Sequence, residues 1–69
     1  MIVTKEQKQK YISLVHEEMA NRGFTPDEIP MVIAKTGFET VMDKYPEEQM
    51  HYSASDAVDE ILLVAAKSN

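Results

Sequence analysis

Three helix-start signals punctuate this chain. In Thr4-Lys5-Glu6-Gln7, Thr25-Pro26-Asp27-Glu28 and Ser53-Ala54-Ser55-Asp56 a hydroxyl stands at a candidate N-cap. Three positions after each comes a side chain able to reach back to the cap's own N–H. The middle signal is the strongest, because Pro26 falls at the first helical position, where its missing N–H costs nothing and its fixed φ already suits a helix. Starts spaced in this way leave room for three principal helices and little else.

The residues that follow each start carry helical periodicity. From Lys5 to Arg22 the apolar positions Tyr11, Ile12, Leu14, Val15 and Met19 recur at three- and four-residue steps with polar residues between them, which predicts an amphipathic helix. Gly23 is placed to end it in the left-handed region, and Phe24 to fold back onto its last turn. In the second segment Ile29, Val32, Ile33, Val41, Met42 and Tyr45 continue at helical spacing. Pro30 interrupts its start, so either the first turn is loose or the main helix begins at Pro30. Thr36-Gly37 interrupts its middle, since glycine inside a helix costs about 1 kcal/mol relative to alanine. Tyr45-Pro46 ends the segment, and Pro46-Glu47-Glu48-Gln49 suits the start of one or two further helical turns. The last helix carries Ala54, Ala57, Val58, Ile61, Leu62 and Ala65 on one face, while Leu63 and Val64 widen that stripe beyond what one small core requires.

Size limits what such helices can enclose. At 69 residues and 7.8 kDa, area scaling gives roughly 4,400 Å² of folded surface against about 11,300 Å² unfolded. A core that thin rarely leaves more than ~3–5 kcal/mol of net stability without a staple. The chain has no cysteine, so disulfides and thiolate metal sites are excluded and oligomerisation is the staple that remains. Its net charge of −5 repels phosphate backbones and anionic lipid surfaces, which argues against nucleic acid and membranes as partners. The N-terminus lacks the apolar region of a signal peptide, and the longest apolar run, Ile61 to Ala66, falls far short of the ~20 residues that span a bilayer. A cytoplasmic location is expected.

Motifs that could carry chemistry are few. Ile33-Ala34-Lys35-Thr36-Gly37-Phe38 resembles the helix-turn-helix of bacterial repressors, with alanine in the first helix, glycine in the turn and a hydrophobic residue after it. Gly37 follows Ala34 by three residues where that pattern has four. A recognition helix after Phe38 would also present Glu39 and Asp43 where phosphate and base contacts want arginine and lysine. Glu48-x-x-His51 has the spacing of a di-iron carboxylate half-site, but such sites need a second copy of the motif and two more glutamates. The other carboxylates line up as Glu17-Glu18, Glu47-Glu48 and Asp56-Asp59-Glu60 on helix surfaces or starts, a solvated arrangement. With two glycines in the chain there is no glycine-rich phosphate loop.

The sequence therefore predicts an all-α bundle forming a single helical domain over 1–69. Its three principal helices lie at about 5–22, 27–44 and 54–67, with a break open at Gly37 and a short helical turn near 46–51. The expected function is a non-catalytic protein–protein interaction module, a homodimer joined through an apolar patch on the second and third helices. Met31, Phe38, Met42 and Leu63 are the expected partner contacts, because methionines and aromatics are over-used on adaptable binding surfaces. No catalytic residue, cofactor or metal is expected. The alternative is a small helix-turn-helix-like DNA-binding regulator, which the net charge disfavours.

Overall fold

The computed structural model describes residues 3–67. The ends of the expected 1–69 domain, residues 1–2 and 68–69, lie outside it. Five helices follow one another: α1 (Lys5–Asn21), α2 (Glu28–Thr36), α3 (Phe38–Lys44), α4 (Pro46–Met50) and α5 (Ala54–Lys67), with no strand among the described residues. The fold is a small all-α bundle.

Each start signal forms its hydrogen-bonded turn, although at Thr25 that turn precedes α2, whose own N-cap, Asp27, has no side-chain bond. The Gln7 N–H donates to Thr4 Oγ1 at 3.1 Å and the Thr4 N–H donates to Gln7 Oε1 at 2.9 Å. Thr25 and Glu28 repeat the reciprocal pair at 3.2 and 2.8 Å. At the head of α5 the Asp56 N–H donates to Ser53 Oγ at 3.2 Å. The start of α2 resolves the difficulty posed by Pro30. Helix α2 begins at Glu28, so the proline is its third residue and sits in the first turn, where N–H groups lack intrahelical acceptors.

Chain reversals fall at both glycines. After α1, Gly23 (φ +100) allows its own N–H to bond Ala20 O at 3.0 Å and that of Phe24 to bond Met19 O at 3.2 Å. This is the Schellman pattern, and it returns Phe24 against the core. Gly37 (φ +73) ends α2 in the left-handed region, and its carbonyl then accepts from the Val41 N–H at 3.1 Å to open α3. The second principal helix is thus two helices, meeting at the break that the sequence left open. A Cβ at Gly37 would meet open space, so backbone conformation alone asks for glycine there.

The core is built from Tyr11, Val15 and Met19 of α1, Ile29 and Ile33 of α2, Phe38 and Met42 of α3, and Ala57, Val58 and Ile61 of α5. In each helix these lie three or four positions apart or side by side, the stripe that packs one helix on another. Helix α5 packs chiefly against α1 and α2, while α3 and α4 are joined mainly to each other and α3 to α2. One polar side chain, that of Arg22 at the end of α1, reinforces the contact between α1 and α5. Arg22 donates from Nε to Glu18 Oε2 at 2.9 Å, from Nη1 to Asp59 Oδ1 at 2.7 Å, and from Nη2 to the carbonyl and hydroxyl of Ser55, each at 3.0 Å. Those bonds stabilise its charged form and hold its pKa above the ordinary arginine value.

Phe38 and Met42 correct the expected contact surface, since they are 4% and 1% exposed and belong to the core. A helix running straight through Gly37 would carry them away from the side held by Ile29 and Ile33. The break resets the helical phase, turning Phe38 and Met42 inward and Val41 and Tyr45 outward. Met31 and Leu63 do lie at the surface, 70% and 51% exposed.

Candidate functional site

Of the large apolar side chains exposed at the surface, Val41, Tyr45, Tyr52 and Val64 lie where α5 faces α3 and α4, whereas Leu14, Met31 and Leu63 lie elsewhere. Because α5 takes most of its contacts from α1 and α2, its other side is left standing off from its neighbours. Val64 lies one turn beyond buried Ile61 and two turns beyond buried Ala57, so it borders this gap from α5. Val41 borders it from α3. Tyr45 and Tyr52 flank α4, which lies between them. These four side chains are between 37 and 58% exposed.

Three depressions share this surface. A narrow notch of about 70 Å³ reaches past Val41 and Val64 to buried Phe38, Ala57 and Ile61. Two wider troughs open beside it. One, of about 440 Å³, is lined by Val41, Tyr45, Glu48, Gln49, His51 and Tyr52. The other, of about 560 Å³, includes Val41, Tyr52, Asp56, Asp59, Glu60 and Val64. Val41, Tyr52 and Gln49 border both troughs, so together they form one groove. Its polar margin is acidic: Glu48, Asp56, Asp59 and Glu60 line it and no lysine or arginine does. Asp59 is paired with Arg22 from outside the groove.

Two residues that line the groove, Gln49 and Tyr52, are tied through their backbone to α1. The Tyr11 hydroxyl, on α1, lies 3.0 Å from Gln49 O and 2.9 Å from Tyr52 O, and its single proton is shared between carbonyls at the end of α4 and the turn beyond it. Carbonyls at a helix C-terminus lack intrahelical donors, so the phenol caps α4 while its ring fills the core. Burial pushes the Tyr11 pKa above its ordinary value; the Gln49 side chain, as distinct from its carbonyl, opposes that rise and nearby Asp56 adds to it.

Of the expected contact residues, Phe38 reaches this surface only as the inner wall of the notch. Met42 lines a separate depression between α1 and α3, beside Lys5, Lys8, Glu39 and Asp43. Met31 and Leu63 project from the solvent sides of α2 and α5 and border none of these depressions. The groove does lie between the second segment and the last helix, but Val41, Tyr45, Tyr52 and Val64 form it. Two features could have marked them: the phase reset at Gly37, and the proline after Tyr45 that turns that ring out of the helix.

Glu48 and His51 border one trough together. Among the described residues no group of three His, Asp or Glu side chains is arranged to hold a metal ion, and none of their helices is long and apolar enough to cross a membrane. The helices around Gly37 are joined by that one residue, where DNA-binding helix-turn-helix units use three or four. Compared with known proteins, the chain matches no family model, no curated protein and no solved structure.

Proposed function

We propose that this chain is a non-catalytic protein-interaction module and that its working surface is the groove between α3–α4 and α5. The observation that carries this reading is that Val41, Tyr45, Tyr52 and Val64, all partly or largely exposed, line two adjoining troughs, with Val41 and Tyr52 shared between them. Scattered single apolar residues on a surface mean little, and what favours the reading is that these four lie together beside a notch that reaches the core. The groove's carboxylates are exposed, so they lack the secluded, unequal environments that acid–base catalysis by a carboxylate pair uses.

Self-association is the second reading. Met31 and Leu63 add exposed apolar surface outside the groove, and a chain of this size gains most from a partner that covers it. One experiment separates the two. A photo-crosslinking amino acid is placed in turn at Tyr45, Val64, Met31, Leu63 and, as a control on α1, Glu17, and irradiated in the cells that make the protein. Discrete adducts from Tyr45 and Val64 but not Glu17 support the groove. Adducts of twice the chain mass from Met31 or Leu63 support self-association there. If neither groove position yields a discrete adduct, the groove reading falls.

A further inference from the structure

Resting on that groove reading, we infer that the occupant is a basic amphipathic helix from another protein, with apolar anchors one turn apart and lysine or arginine beside them. Charge complementarity points to the basic flanks. Glu48, Asp56 and Glu60 stand exposed around the troughs, and no cation is among the lining residues. A cationic ligand gains attraction there at no cost in burying an unpaired charge, because these carboxylates are at the rim.

Secondary structure points to the helix. The groove walls are helices, and no strand edge exists among the described residues to pair with an extended peptide. A helix satisfies its own backbone and can bind here by side chains alone, the mode in which an amphipathic helix lies in an apolar groove. The notch between Val41 and Val64 has room for one apolar side chain at its deepest point, over Phe38 and Ile61. The two troughs offer places for anchors to either side of it.

A second copy of the chain is a poorer fit. It carries a net charge of −5, and its own cations are partly engaged. Arg22, for one, is bound by Glu18 and Asp59. Like charges across the acidic rim would oppose docking.

The test is fluorescence anisotropy with a labelled Leu/Lys peptide of about four helical turns, patterned so that leucine occupies one face. Saturable one-to-one binding is expected at low salt, weakening as salt rises because the rim charges are exposed. Circular dichroism first confirms that each protein variant keeps its helices. Val41→Ser/Val64→Ser should weaken binding about tenfold, since each valine has only part of its surface left to bury. Glu60→Gln should weaken it about threefold, and Leu63→Ser should leave it unchanged. Three results would overturn the inference: no binding, equal binding by a sequence-scrambled or Leu/Glu peptide, or equal weakening by Leu63→Ser. Crosslinks from Val64 in cells alongside a failed peptide would leave the module standing and remove only its basic partner. A groove adduct of twice the chain mass would replace that partner with a second copy.

Discussion

Helix α5 has two sides that differ in how they meet the rest of the molecule. Toward α1 and α2 its Ala57, Val58 and Ile61 are buried in a closed core, and Arg22 ties the end of α1 to Ser55 and Asp59. Toward α3 and α4 the contact opens into a groove whose margins are apolar inside and acidic outside. The same fourteen-residue helix therefore serves stability with one face and leaves surface available with the other. A chain this small has too few side chains to close both.

Substitutions on the two sides should separate by size of effect. In the core, Phe38→Ala should cost about 3–5 kcal/mol and Met42→Ala about 2–5 kcal/mol, as for other buried large-to-small changes. Against the ~3–5 kcal/mol available to a core of this size, either should leave the chain largely unfolded in urea titration. A fully cooperative, undiminished transition in both would show that these residues are not core. At the hinge between the sides, Gly37→Ala should cost about 1–2 kcal/mol, the penalty for a side chain in the left-handed region. If helicity rises instead, α2 and α3 have fused and the groove has lost its α3 wall.

Tyr11→Phe removes the link from the closed side to the groove floor and should cost about 1 kcal/mol, the usual net worth of one buried hydrogen bond. The same phenol gives a pH signature. Its folded-state pKa is raised, so the neutral form is favoured in the folded protein. The stability this confers is complete below the unfolded value, near 10, and is lost as pH climbs through the folded value. Urea midpoints measured on either side of pH 10 should therefore fall for the parent chain more than for Tyr11→Phe; equal falls would detach the phenol from this role. The smallest effect belongs to the open side, where Val64→Ser should change stability by about 0.5 kcal/mol or less. A larger loss would mean that Val64 packs as core and that the groove is closed in solution.

Much of this architecture was legible along the chain because its signals are local. Thr4, Thr25 and Ser53 needed only the residue three places on to form their hydrogen-bonded turns. Gly23 and Phe24 needed only the preceding turn. The reading failed at Phe38 and Met42, where helical phase was carried through Gly37 as if the helix continued. One residue at φ +73 was enough to bring those two into the core. Likewise nothing near Tyr11 announces that its hydroxyl will meet carbonyls at Gln49 and Tyr52, nor anything near Arg22 that it will reach Ser55 and Asp59.

By itself the sequence determined where helices start and stop, which stripes are apolar, and that a cysteine-free acidic chain of this length has only a thin core. These depend on caps, turns and composition, whose physics acts within a few residues. Which side of each stripe is covered was decided by the tertiary structure. Packing α5 against α1 and α2 closes one face and necessarily leaves the other beside α3 and α4, because a cylinder touched on one flank cannot be enclosed by two short helices joined mainly to each other.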